Sequence, residues 1–142
     1  MKKVLFFPGL GEKASDYKGI LPKFIRVAKI NWNTGKYAPR IDNYDTVVSF
    51  SLGTFFPLEY ARKKKIKKLV LCSPTPFETM KGLKVGEVVF VVGQKEKFIS
   101  ENVRRIAKEV NTRVLIVKNG DHKIEDKYLK TVVSVLNSDI NG

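Results

Sequence analysis

The sequence predicts an α/β fold: one domain with a six-stranded, mostly parallel sheet and helices on both faces. Three observations carry that prediction. Short, continuously apolar runs such as Val4-Leu5-Phe6-Phe7 and Val88-Val89-Phe90-Val91-Val92 suit strands covered on both faces, whereas a half-exposed strand would alternate. These runs alternate along the chain with segments whose apolar residues recur at helical spacing. Each run also stops at residues that turn the chain: Pro8-Gly9, Ser51, Ser73-Pro74, Gly93 and Asn119-Gly120. The 142 residues are enough for one domain, 1–142, with a substantial core.

The first strand is Val4 to Phe7, ending in the turn Pro8-Gly9-Leu10-Gly11. Ser15-Asp16 supplies capping side chains, and Tyr17, Ile20, Leu21 and Phe24 follow at helical spacing, which predicts a helix. Val27 to Ile30 reads as a second, weaker strand, and the polar stretch from Asn31 to Asn43, with Gly35 and Pro39, as mostly loop. Thr46 to Phe50 is the third strand. The next helix carries Phe55, Phe56 and Tyr60 to about Lys64, with Pro57 placed to weaken or bend it. Lys68 to Cys72 is the fourth strand and Val88 to Val92 the fifth. Ser100 then caps a helix that buries Val103, Ile106, Ala107 and Val110. Arg113 to Val117 is the sixth strand, and a last helix from about Glu125 to Asn137 buries Leu129, Val132, Val133 and Leu136.

Composition narrows the function classes. A formal charge of +13 permits binding to nucleic acid, anionic membrane or acidic substrates. The densest run, Arg62-Lys63-Lys64-Lys65-Ile66-Lys67-Lys68, has no interleaved aromatics, and no nucleic-acid-binding signature accompanies it. A lysine-rich solvated surface is the simpler reading, with no specific nucleic-acid site expected. No run reaches the ~18 apolar residues of a membrane span. The basic start Met1-Lys2-Lys3 leads into an apolar run broken at Pro8-Gly9, a first strand in preference to a signal peptide. The lone Cys72 excludes an intramolecular disulfide and fits a reducing, cytoplasmic setting. A single His and a single Cys make a conventional zinc site implausible, and no metal or organic cofactor is expected.

In open α/β sheets, ligands bind beyond the carboxyl ends of the strands. The residues there include Ser51, the only histidine (His122), and several carboxylates. Ser49-Phe50-Ser51-Leu52-Gly53 joins a buried strand to a helix, a setting that lifts a serine hydroxyl clear of the backbone beside helix-end N–H groups. Acyl transfer needs that pairing of a nucleophile with oxyanion donors. His122 is the candidate general base. Glu96, three residues past Gly93, is the leading candidate to orient it, with Glu78, Asp121 and Asp126 as alternatives. The backbone N–H groups of Leu10 and Leu52 are the candidate oxyanion donors. Cys72, the last residue of a buried strand, is a poor nucleophile candidate.

Four motifs, taken together and in order, resemble those of a minimal α/β-hydrolase, most nearly the small lidless esterases of that superfamily. Val4-Leu5-Phe6-Phe7-Pro8-Gly9-Leu10-Gly11 is similar to the strand and His-Gly turn of the oxyanion hole, with Pro8 at the usual His. Val48 to Gly53 is similar to the serine turn, with Ser49 for the first Gly and Thr54 where a second Gly is common. Gly93-Gln94-Lys95-Glu96 resembles the acid turn, with Glu for the commoner Asp, and Asn119-Gly120-Asp121-His122 the histidine loop. The first two strands of the full fold have no counterpart, and Ser73 to Glu87 is too short for a cap domain. The resemblance implies a Ser51–His122–Glu96 triad hydrolysing a small ester or thioester through an acyl-enzyme. Its open site would be walled by Phe55, Phe77 and Met80. Because some members of the superfamily have lost catalysis, the alternative is a silent module that binds an anionic partner, nucleic acid or acidic protein, through its lysines.

Overall fold

Every residue from Thr46 to Phe50 is buried, as a central strand covered on both faces requires. The computed structural model describes residues 3–141, so Met1 and Lys2 of the basic start and Gly142 lie outside the described residues. In chain order the strands are β1 (Val4–Phe7), β2 (Ile25–Val27), β3 (Lys29–Asn31), β4 (Lys36–Ala38), β5 (Thr46–Phe50), β6 (Ile66–Cys72), β7 (Val85–Gly93) and β8 (Val114–Val117). The helices are α1 (Phe55–Ala61), α2 (Lys97–Glu109) and α3 (Asp126–Asn141). Among the described residues six strands form one sheet in the order β2-β1-β5-β6-β7-β8, and every pairing in it is parallel.

Alternation along the strands divides the core between the two faces. Leu5, Phe7, Val47, Leu69, Leu71, Phe90 and Val92 pack against Phe56 and Ala61 of α1 and Val103, Ile106 and Ala107 of α2. Val4, Phe6, Val48, Phe50, Val70, Val89 and Val91 pack against Tyr128, Val132, Val135 and Leu136 of α3. Register then sets the strand ends side by side: Phe7 pairs with Ser49, Phe50 with Cys72, and Gly93 with Val117. From β1 the chain goes to one side for β2 and to the other for β5. The crevice at that switch point is where such a sheet opens to ligands.

Several elements differ from the sequence expectation, each for a local reason. No helix follows Tyr17; a 3-10 turn spans Ala14–Tyr17, and Gly19 takes φ +78°, which ends the helical path before Pro22. Ile20 and Phe24 therefore stay partly exposed. The second strand is Ile25–Val27, not Val27 to Ile30, and the expected loop begins with the antiparallel hairpin β3–β4, whose turn uses Gly35 at φ +76°. After Ser51 the chain makes a 3-10 turn, Ser51–Thr54, before α1 starts at Phe55. Pro57 thus falls in the first turn of α1, where its missing N–H is no loss, so it need not bend the helix. Ser100 is not a cap, because α2 begins at Lys97 with Glu96 as its N-cap residue. In α3 the buried face is Tyr128, Val132, Val135 and Leu136, while Leu129 and Val133 are half-buried.

Candidate active site

The turn after β5 is the geometric centre of the site. Ser51 has φ 54°, the left-handed region that a non-glycine residue enters at a cost of about 1–3 kcal/mol. That conformation turns the chain from strand to 3-10 helix with almost no intervening loop. A Cβ on Gly53 would lie 2.3 Å from the Pro8 carbonyl oxygen and 2.5 Å from that of Phe7, so the serine turn seats directly on the end of β1. The two departures from the glycine pattern answer each other: the buried hydroxyls of Ser49 and Thr54 lie 3.1 Å apart, within hydrogen-bond distance.

The acid and histidine loops are joined by the same kind of close approach. A Cβ on Gly93 would lie 2.5 Å from the Gly120 carbonyl carbon and oxygen. Gln94 N–H donates to the Val117 carbonyl (2.9 Å), Lys95 N–H to that of Gly120 (2.9 Å), and Asn119 N–H to Gln94 Oε1 (2.9 Å). His122 is thereby carried to the serine turn, where its ring packs on Phe50 with centroids 4.9 Å apart. Its Nε2 lies 2.9 Å from Ser51 Oγ, and its Nδ1 lies 2.6 Å from Glu96 Oε1.

Glu96 is the carboxylate on the imidazole; Glu78 is exposed after β6, and Asp121 accepts the backbone N–H of His122 at 2.8 Å. Asp126 begins α3. Glu96 is buried, and its second oxygen accepts from Ser73 Oγ (2.5 Å) and Gly93 N–H (2.7 Å). Burial opposes its charge, but the hydrogen bonds from His122, Ser73 and Gly93 outweigh burial and hold the carboxyl below its ordinary range. Its place at the positive end of α2 favours the same charge. The hydrogen bond to Glu96 raises the His122 pKa against partial burial, and the charges of Glu96, Asp121 and Glu12 add to it. With Glu96 ionised, Nδ1 carries the ring proton and Nε2 of neutral His122 is free to accept from Ser51.

Sequence reasoning missed three supporting residues. Ser73, at φ 42° after β6, is fully buried and holds Glu96. The buried Tyr128 hydroxyl lies 2.7 Å from Ser73 Oγ and donates to the Val91 carbonyl at 3.0 Å. Glu12 accepts the Gly9 N–H at 2.5 Å and the Tyr17 hydroxyl at 2.7 Å, which pins the turn one residue before Leu10. The only available sequence signal was polarity: a serine ending an apolar strand, a tyrosine in an apolar helix face, and an acid three residues after a glycine.

Leu10 is largely exposed beyond β1, and Leu52 is the second residue of the 3-10 turn, whose first N–H groups lack intrahelical partners. Phe55 is 56% exposed, at the start of α1. Met80 does not wall this site. It is buried in the core, and its N–H meets Glu109 at the far end of α2, by the amino-terminal end of β7. Phe77 is held against α2 by Asn102, which accepts its N–H and donates to its carbonyl. Burial pushes the Cys72 thiol far up, and the Glu96 charge adds to it, so the thiol stays protonated. Among the described residues no cluster of His, Cys, Asp or Glu could hold a metal ion, and no helix is long and apolar enough to cross a membrane. Compared with known proteins, the chain matches no protein-family model and no curated sequence.

Proposed function

We propose that the protein is a serine hydrolase of the α/β-hydrolase type, cleaving a small ester or thioester. The observation that carries this reading is the continuous series Ser51 Oγ, His122 Nε2, His122 Nδ1 and Glu96 Oε1, with contacts of 2.9 and 2.6 Å at a switch point of the sheet. A merely structural serine needs no histidine oriented by a buried carboxylate.

Ser51 Oγ attacks the substrate carbonyl carbon while His122 Nε2 takes its proton. The N–H groups of Leu10 and Leu52 receive the oxyanion, and Glu96 stabilises the imidazolium without itself taking the proton. Collapse breaks the bond to the alcohol or thiol, which leaves with the proton from His122, and Ser51 is left acylated. Water then attacks the acyl carbon, giving its proton to His122. The second collapse releases the acid and returns that proton to Ser51.

The exposure of Phe55 and Leu10 supports a shallow acyl site. Chains of about two to six carbons should therefore react best, since each further methylene gains ~0.8 kcal/mol only when removed from water. The test is hydrolysis of a short p-nitrophenyl ester. Ser51→Ala should lower kcat/KM by about three or more orders of magnitude with the fold intact. Equal rates for the two proteins would end the proposal.

A further inference from the structure

A second concavity begins one residue beyond Leu10. The turn Gly11 to Lys13, directly after Leu10, faces the β3–β4 hairpin across a cleft of about 660 Å3. That is a normal size for a small-molecule site. Its wall includes Trp32 and Tyr37, both half-buried. The hairpin is held in place by these same rings: Trp32 lies 5.4 Å from Phe56, and Tyr37 lies 5.0 Å from Phe7 and 5.4 Å from Phe56. The cleft wall is therefore anchored to β1 and to the helix that follows Ser51, a preformed surface joined to the serine site.

The polar lining is one-sided. Lys13, Lys29 and Lys36 line the cleft, against the single carboxylate of Glu12. Glu12 already accepts the Gly9 N–H and the Tyr17 hydroxyl, so it is turned toward the turn that it pins. The indole N–H of Trp32 is buried and has no acceptor among the described residues. Three lysines and two aromatic side chains lining one cleft, with a donor short of an acceptor, fit one ligand chemistry: an organic anion with an apolar body.

We propose that this cleft binds the anionic part of the substrate, a carboxylate on an apolar or aromatic body, and so selects acidic esters. The assignment of the ligand as substrate rests on the serine-hydrolase reading; the binding itself does not.

Trp32 is the only tryptophan of the chain, so its emission reports on the cleft alone. The experiment titrates 4-phenylbutyrate, and separately its neutral primary amide, into Ser51→Ala protein while Trp32 emission is followed. The acid should give a saturable change at least about tenfold tighter than the amide, weakened about fivefold or more in Lys29→Ala/Lys36→Ala protein and by added salt. No saturable change, equal affinity for acid and amide, or indifference to the two lysines overturns the proposal. In wild-type protein, a p-nitrophenyl ester bearing a distal carboxylate should exceed its neutral analogue in kcat/KM by about tenfold, and no preference removes the substrate assignment. Lysine-dependent binding without hydrolysis of either ester would leave the anion cleft standing and remove the hydrolase reading, so the two failures are distinguishable.

Discussion

The Glu96 carboxylate accepts three hydrogen bonds, from His122, Ser73 and Gly93, and the one to His122 has measurable consequences. Glu96→Gln should lower kcat at least about a hundredfold with KM little altered, because the amide cannot stabilise the imidazolium. Glu78→Gln, Asp121→Asn and Asp126→Asn should each stay within about tenfold, as carboxylates that do not touch the ring. A crippled member of that trio beside a near-normal Glu96→Gln would move the acid elsewhere. The pH profile follows from the same contacts. His122 must be neutral to act as base, and its pKa is raised, so kcat/KM should rise with pH through an apparent pKa above the ordinary ~6.5 of histidine. Glu96, held low, stays ionised throughout that window. Glu12 separates charge from position: Glu12→Gln keeps an acceptor for Gly9 and should shift the profile to lower pH with kcat within about tenfold. Glu12→Ala releases the turn and should cost kcat about tenfold or more at all pH values. The three residues whose side chains meet were legible because Ser51, Glu96 and His122 each follow an apolar strand. Glu12, Ser73 and Tyr128 were not, because their roles depend on which side chain lies across the gap.

At the scale of elements, the site is a set of turns pressed together, and two glycines permit the contact. Gly53→Ala would drive a methyl into the Pro8 and Phe7 carbonyls, and Gly93→Ala into the Gly120 carbonyl, all of them backbone atoms that cannot swing aside. Each substitution should destabilise the fold by about 3 kcal/mol or more, read as a fall in the urea midpoint, and should take activity with it. Unchanged stability in either would show that the turns are not packed as described. The strands were readable from sequence because burial on both faces leaves an unbroken apolar run. The β3–β4 hairpin was not, since it exposes one face and its polar residues resemble a loop. Tyr17, Ile20, Leu21 and Phe24 kept helical spacing without forming a helix, since one glycine at φ +78° outweighs a short periodic pattern. Met80, expected to wall an open, uncapped site, lies away from it because the segment after β6 runs back to the opposite end of the sheet.

Across the whole molecule, the charge of +13 is carried on many elements and is not gathered into one groove of the site. Lys13, Lys29 and Lys36 at the cleft are one local exception, and Lys68 is buried with its ammonium donating to the Val135 carbonyl at 3.3 Å. Binding to duplex or single-stranded nucleic acid should therefore be weak and independent of sequence at ~150 mM salt, where scattered charges are screened. Tight binding there, measured by anisotropy of a labelled oligonucleotide, would favour a binding module over an enzyme. The proposed hydrolase activity requires that this parallel sheet present Ser51 as an activated nucleophile. The most direct measurement is reaction of the purified protein with a fluorophosphonate, followed by intact mass and peptide mapping. One adduct per chain is expected, located at Ser51 and absent from Ser51→Ala, with slower labelling of His122→Ala. A folded wild-type protein that takes no adduct, or takes it at another residue, would contradict the proposal.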